Sequence, residues 1–492
     1  MNYVSTRNKT IKITASEAIL RGLAPDGGLF IPDEIPSCGL SENDLLTMDT
    51  YELTSHILKK LLPDLPGDKI SKAVRDGYYG KFDTPDITPV KELDGMSVLE
   101  LYHGPTSAFK DMALCLLPHL IAASCEKNGE NGDVLILTAT SGDTGKAALS
   151  GFADVPGTKV IVFYPADGVS KMQQLQMVTQ EGSNVCVCAV KGNFDDAQRG
   201  VKRAFSEIKR DDIFLSSANS INVGRLAPQV AYYFKAYGNL LKTGRIKYGD
   251  KINFAVPTGN FGNILAGYIA KLMGLPIGKF ICASNSNDVL TQFLSTGVYD
   301  RRRPFYQTAS PSMDILVSSN LERLLYLESG GDDKLTAGLM DSLNEKGFYS
   351  VPDKLLTDIQ EDFLCGCADD EQSYAAIRSA WEQNGYLIDP HTSVAFHVLN
   401  KLKAEGQISG ETVVLSTASP YKFANSMLRA LGINAPDDGF EALELLHSVT
   451  GVPVPENLSS LKNKPVLHRD VVLPDNITSY VEMKAGEKSW KK

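Results

Sequence analysis

No apolar run in this chain reaches the ~18 residues that a membrane-spanning helix requires, so no such span is predicted. Positive charge is in short supply. Forty-nine Lys and Arg stand against 59 Asp and Glu, leaving a net charge of -10 and a pI near 5.3. That balance lacks the basic footprint of a nucleic-acid binder. Metal-ligand spacing is also missing. None of Cys38, Cys115, Cys125, Cys186, Cys188, Cys282, Cys365 and Cys367 forms Cys-x-x-Cys, and Cys365-x-Cys367 has no His-rich partner, so no metal site is expected. The opening Met-Asn-Tyr-Val-Ser-Thr-Arg has no apolar export core, so a cytoplasmic protein with reduced thiols is expected. There is no internal repeat and no low-complexity tract.

What is present is the composition of an ordinary globular protein, 43% hydrophobic and 22% charged over 492 residues. That length predicts two or three lobes. Residues 1–90 read as an N-terminal region with helical segments at 11–23 and 45–62. From 133 onward short apolar runs alternate with helix-like stretches: Val134–Leu137, Lys159–Phe163 and Val185–Val190, then helices near 144–153, 169–179 and 194–208. This alternation predicts βαβ units on a parallel sheet. Cys186 and Cys188 read as one face of the third strand. Ile252–Val256 and Val413–Ser416 are further strands, with a helix at 264–273. The polar stretch 482–492 reads as frayed. The predicted division is an N-terminal region 1–90, a large domain 91–130 plus 221–492, and a small mobile βαβ domain 131–220.

Two strand-to-helix junctions are rich in glycine: Thr138-Ala-Thr-Ser141-Gly142-Asp143-Thr144-Gly145-Lys146 and Pro257-Thr-Gly259-Asn260-Phe261-Gly262-Asn263. Glycine lets backbone approach a ligand, and a helix N-terminus aims unpaired N–H groups at an anion. Neither loop meets a nucleotide template. Before Gly145-Lys146 the first Walker glycine is replaced by Thr140, and Ala147 stands where the magnesium hydroxyl belongs; Gly259-Asn-Phe-Gly262 is not Gly-x-Gly-x-x-Gly. A third junction, His103-Gly-Pro-Thr-Ser-Ala-Phe-Lys110-Asp111, puts a lysine between the predicted strand 98–102 and a helix. On a surface helix such a lysine would be unremarkable chemically; partly buried, it can lose its charge and serve as a Schiff-base nucleophile or base. A candidate Schiff-base lysine with two anion cradles points to pyridoxal 5'-phosphate, which carries one aldehyde and one phosphate.

At these residues the chain resembles threonine synthase, a pyridoxal-phosphate enzyme of the tryptophan synthase β-subunit fold. Further motifs carry the resemblance in order: Gly22-Leu-Ala-Pro-Asp-Gly-Gly-Leu-Phe-Ile-Pro32, Gly192-Asn-Phe-Asp-Asp-Ala-Gln198, Ser310-Pro-Ser-Met-Asp-Ile315 and Leu415-Ser-Thr-Ala-Ser-Pro-Tyr-Lys-Phe423. The length suits the longer bacterial and fungal type. The resemblance implies an α/β fold-type II architecture: two αβα lobes on parallel or mixed sheets beside an N-terminal helical region. It implies Lys110 as the catalytic lysine that carries the cofactor and then moves protons. Gly259, Asn260, Phe261, Gly262 and Asn263 would bind the cofactor phosphate, and Thr417 the pyridine nitrogen. Ser141, Asp143 and Thr144 would hold the substrate carboxylate, with Asn222 and Arg225 on the substrate phosphate. The implied reaction turns O-phospho-L-homoserine and water into L-threonine and phosphate in a monomer or homodimer. Many members carry His-Pro-Ala-Lys-Phe where this chain has Ser419-Pro-Tyr-Lys-Phe423, so that histidine's role does not transfer. Three rivals stay open at this point: a phospho-lyase yielding phosphate and a 2-keto acid, a nucleotide-dependent enzyme, and a non-catalytic scaffold.

Overall fold

The computed structural model describes residues 1–130, 132–140, 142–167, 169, 171–210, 212–487 and 490. Two sheets organise the molecule. The larger runs in the order Phe363–Cys367, Ile277–Ser284, Ile252–Pro257, Thr412–Ser416, Met96–Glu100, Val90–Leu93. Its first five strands are parallel and the last pairs antiparallel. Every residue of Ile252–Pro257, Thr412–Ser416 and Met96–Glu100 is buried, as expected for strands covered on both faces. The smaller sheet is wholly parallel: Asp470–Val472, Val185–Val190, Thr158–Pro165, Asp133–Ala139, Ile213–Ser216.

The alternation inside Val185–Val190 shows how the smaller sheet is sandwiched. Val185, Val187 and Ala189 join the cluster of Leu149, Phe152 and Met177, while Cys186, Cys188 and Val190 join that of Val201, Ile477 and Val481. The two cysteines therefore share a face, as the two-residue period requires. None of the eight cysteines is in a disulfide among the described residues.

Three sequence expectations need correction. Residues 11–13 end the strand Asn8–Ile13 instead of starting a helix, which begins at Ala15 behind the Thr14–Glu17 capping box. Residues 470–485, grouped by sequence with the large domain, return to the smaller sheet: Asp470–Val472 forms its edge strand, and the helix Ile477–Ala485 packs on Phe194–Glu207. Nor is the polar tail loose up to residue 487. Lys484 is buried, and the buried Trp490 donates its indole N–H to the Lys484 carbonyl at 2.9 Å. Composition misleads here because a long side chain can bury its stem while its charged head keeps a partner, here Glu487.

The long helix Val223–Lys242 is buried over most of its length and packs on Thr50–Leu61 and Gly262–Leu272. It joins the N-terminal region to the larger sheet. The lobes meet closely where the helix Asp143–Phe152 crosses the short helix Asp111–Leu114. A Cβ on Gly151 would lie 2.0 Å from the Leu114 carbonyl oxygen, so only glycine permits this approach.

Candidate active site

Chemistry-bearing residues gather at the carboxyl ends of the parallel strands, where open α/β sheets bind ligands. Lys110 caps the helix Asp111–Leu114 beyond strand Met96–Glu100. Its loop is held rigidly. Asp111 accepts from the Thr106 amide at 2.8 Å and the Thr106 hydroxyl at 2.6 Å. Phe109 N–H donates to the Thr417 carbonyl at 2.9 Å, and Ser419 N–H to the Ser107 carbonyl at 3.0 Å. Ser107 adopts a left-handed φ of 55°, a strained conformation for a non-glycine residue that such a frame can enforce.

The Lys110 amine lies 3.7 Å from Asp143 Oδ2 and 3.5 Å from Ser312 Oγ. Burial lowers its pKa below the ordinary lysine range. Asp143 pulls the other way, while Lys422 and Arg225 reinforce the burial effect. A lowered pKa makes the neutral, nucleophilic amine more accessible near neutral pH.

Asp143 stands between two lysines. Its Oδ1 is 2.7 Å from Lys422 Nζ, which also donates to the Thr106 carbonyl at 2.9 Å. Burial alone would raise the Asp143 pKa; Lys422 and Lys110 overcome it and hold the carboxyl well below the usual range. A carboxylate held charged repels a second carboxylate, and the charged side-chain partners of Asp143 here are cations, Lys110 and Lys422. Thr144 follows it in the first helical turn and is half-buried. Ser141 lies outside the described residues.

The second cradle follows Ile252–Pro257. A Cβ on Gly259 would meet the Ser312 carbonyl oxygen at 2.8 Å, so loop 310–313 lies directly against this turn. The exposed Asn260 contributes its carbonyl, which accepts from the Asn320 backbone at 3.1 Å and side chain at 3.0 Å. Phe261, in a left-handed conformation at φ 60°, packs on Phe363 and precedes the helix Gly262–Leu272. That helix opens with N–H groups that have no intrahelical partner. Asn263 is buried in its first turn. Its Oδ1 accepts from Tyr232 at 2.6 Å and Tyr233 at 3.0 Å, while its Nδ2 has no partner among the described residues.

Arg225 has a second partnerless donor. It is buried, gives one N–H to the Ala218 carbonyl at 2.7 Å, and leaves Nε unsatisfied. Burial lowers its pKa to about 10. A buried donor left unpaired costs ~1–3 kcal/mol, more if charged, and an anion beside it removes that cost. Asn222, in contrast, has no donor to offer. Its Nδ2 bonds the Ile19 and Ser217 carbonyls at 2.9 and 3.0 Å, and its Oδ1 caps the following helix through Gly224 N–H. Its implied substrate-phosphate role is corrected to a structural one.

Thr417 is buried at the end of strand Thr412–Ser416, its N–H donating to Thr392 Oγ1 at 3.3 Å. Ser419 is buried too, and its hydroxyl caps the turn at Tyr421. An imidazole nevertheless stands beside this segment: the ring of His391 lies 4.9 Å from that of Phe423. Lys422, Ser312 and His391 were not singled out from the sequence. The first two lie within motifs quoted above, but residue order alone does not reveal which side chains converge.

Known pyridoxal-phosphate enzymes resemble this chain over most of its length. The pattern of pyridoxal-phosphate dependent enzymes matches residues 86–419, flanked by the threonine synthase N terminus at 2–78 and the threonine synthase C-terminal pattern at 392–478. Threonine synthase-like 1 from Homo sapiens is 40% identical over 461 residues, covering 89% of this chain, which itself spans only 61% of that protein. Threonine synthase from Pseudomonas aeruginosa is 38% identical over 437 residues, covering 87% of this chain and 90% of its own. The crystal structure of PLP-bound threonine synthase from Brucella melitensis superposes with a TM-score of 0.88 at 36% identity, covering 99% of this chain and 100% of that one.

Proposed function

Because the chain belongs to the threonine synthase family of pyridoxal-phosphate dependent enzymes, we propose that it converts O-phospho-L-homoserine and water to L-threonine and phosphate. The observation that carries this reading is a partly buried Lys110 amine set 3.5 Å from Ser312 and 3.7 Å from Asp143, in a chain that also leaves two buried donors, Asn263 Nδ2 and Arg225 Nε, unpaired among the described residues. These residues fit a cofactor with one aldehyde and one phosphate and a substrate with a second phosphate.

When bound, pyridoxal phosphate supplies a carbonyl that captures an amine and a ring that withdraws electrons from the adjacent carbon. Lys110 Nζ would hold the cofactor at rest, then take the proton from the substrate Cα and pass protons at Cβ, being already positioned for each transfer. Gly259, the Asn260 and Phe261 backbone, Gly262 N–H and Asn263 Nδ2 would hold the cofactor phosphate at the helix N-terminus. Thr417 would face the ring nitrogen; a neutral hydroxyl, unlike a carboxylate, does not enforce its protonation. Arg225 would bind the phosphate that leaves. Thr144 and neighbouring backbone N–H groups at the start of Asp143–Phe152 would hold the substrate carboxylate. The lobe carrying residues 133–216 would close over the substrate and exclude stray water.

The test is incubation with O-phosphohomoserine, with threonine and phosphate assayed together. Equimolar threonine and phosphate are expected, with Lys110→Ala abolishing both. Phosphate accompanied by a 2-keto acid would replace this reading with the phospho-lyase.

A further inference from the structure

Opposite Lys110 stands a group of residues to which the proposed mechanism gives no part. Ser312 Oγ lies 3.5 Å from Lys110 Nζ and 3.4 Å from Asp143 Oδ2, bridging the amine and the carboxylate. Its backbone is gripped from behind. Ser312 N–H donates to His391 Nε2 at 3.1 Å, and His391 Nδ1 lies 2.8 Å from Asp389 Oδ1. An amide N–H can only donate, so Nε2 must accept and Nδ1 must carry the ring proton toward Asp389. Asp389 and His391 are 0% and 3% exposed, and Asp389 is fixed by the His391 amide at 2.9 Å and by the Thr392 hydroxyl.

The rest of the loop is equally fixed. The Asn285 carboxamide bonds Ser310 Oγ at 3.0 Å and Asp314 Oδ1 at 2.7 Å, and the Ser312 carbonyl rests on Gly259. An Asp–His pair buried this completely is more than a turn of this kind needs, since an N-cap is satisfied by Asp389 alone. What it adds is a defined acceptor for one amide, that of the residue whose hydroxyl touches the reactive amine.

We propose that Ser312 is a second catalytic residue whose hydroxyl orients the Lys110 amine, and that the Asp389–His391 pair positions it through the backbone. The hydroxyl accepts from the lysine and donates to Asp143, fixing the direction of the amine lone pair whenever Lys110 is not bonded to the cofactor. No bond is made or broken at Ser312. The inference rests on the reading of Lys110 as the cofactor lysine.

The experiment uses apoprotein, pyridoxal phosphate and borohydride reduction, with the modified peptide identified by mass and its rate of appearance followed. Wild type is expected to be labelled at Lys110. Ser312→Ala and His391→Leu are each expected to slow labelling about tenfold, the effect of one hydrogen bond to a charged group. Ser312→Thr, which restores a hydroxyl, and His391→Gln, which restores an acceptor, are expected to stay within about twofold of wild type. The double variant should be no slower than either single, as coupled residues require. In the turnover assay kcat should fall with KM unchanged. Ser312→Ala removes only a hydroxyl from a half-buried loop residue, so the Ala and Thr pair decides the matter even where His391→Leu fails to fold. Labelling of Ser312→Ala at the wild-type rate overturns the proposal. Wild type unlabelled at Lys110 overturns the reading beneath it as well.

Discussion

The turn after Ile252–Pro257 and the turn after Asp133–Ala139 share one plan: a buried parallel strand, a short polar turn, then a helix. They differ in what the first helical turn presents. The Pro257–Asn263 turn brings donors, with Asn263 Nδ2 buried and unpaired above a backbone braced by Asn320 and Ser312. The Thr140–Gly145 turn brings a negative charge, Asp143, set between Lys110 and Lys422. One presents an unpaired donor; the other already contains its own negative charge. Glycine content therefore marks where backbone can come close, and the side chain in the first turn decides what it comes close to.

The largest expected effect breaks this contrast. Asp143→Asn leaves the buried Lys422 and the partly buried Lys110 without their counter-charge, and losing one partner of a buried pair costs ~3–5 kcal/mol. Chemical denaturation should show a loss of about that size. The variant also separates charge from shape at Lys110. Asp143 raises the Lys110 pKa against the burial that lowers it, so removing its charge should move the pH midpoint of Lys110 labelling by pyridoxal phosphate downward. A midpoint that stays put or rises would show that Asp143 does not govern the amine.

Next in size is Gly259→Ala. The added Cβ would sit 2.8 Å from the Ser312 carbonyl and 3.3 Å from Met313 Cα, both backbone atoms that cannot swing aside. Overpacking of this kind costs ~1–3 kcal/mol. Cofactor affinity, titrated on apoprotein, should fall roughly 10- to 100-fold, with helix content unchanged. Unaltered affinity would remove the Pro257–Asn263 turn from the phosphate site.

How much of this was legible beforehand follows from the same contrast. The buried strands announced themselves because runs such as Ile252–Val256 and Val185–Val190 have no other stable use in a parallel sheet. Lys110 alone said little, since a lysine at a strand-to-helix junction is most often a surface residue; the two glycine-rich turns and the ordered motifs around it drew attention to it. The surroundings of Asp143 were not legible because a carboxylate's partners come from distant segments: Lys110 lies 33 residues away and Lys422 lies 279 away, counted along the sequence. Asn222 looked like a ligand because Asn serves equally well as a helix cap, and only its bonds to Gly224, Ile19 and Ser217 distinguish the two uses. The return of residues 470–485 to the smaller sheet was hidden by a three-residue edge strand, too short to show any period.

A smaller effect sharpens the comparison from the donor side. Tyr232→Phe removes one of two hydroxyls that fix Asn263 Oδ1. Tyr233 remains, so the carboxamide keeps its orientation with a looser hold. Loss of one neutral hydrogen bond is worth ~1 kcal/mol, which predicts a cofactor affinity weaker by about fivefold. Replacing both tyrosines should cost more than the sum of the two, because only then is the carboxamide free to turn. Simple additivity would mean that the tyrosines stabilise the helix without orienting Asn263.

A last effect concerns the frame beneath Lys110, which the contrast requires to be rigid on its own account. His103 lies 2.6 Å from Asp83 and 2.8 Å from Glu100, and Glu100 also accepts from Tyr386 at 2.7 Å. Burial alone would lower the His103 pKa, but Asp83 and Glu100 outweigh it and raise the value from 6.5 to about 9. A pKa raised on folding stabilises the fold fully below the unfolded value and loses that contribution as pH climbs through the folded one. Tm should therefore decline between about pH 6.5 and 9, and His103→Gln should flatten that part of the curve while leaving the acid side to the carboxylates. If the variant keeps the wild-type slope, the alkaline loss arises elsewhere, and the Lys110 loop owes its rigidity to Asp111 and the Thr417 segment instead of to His103.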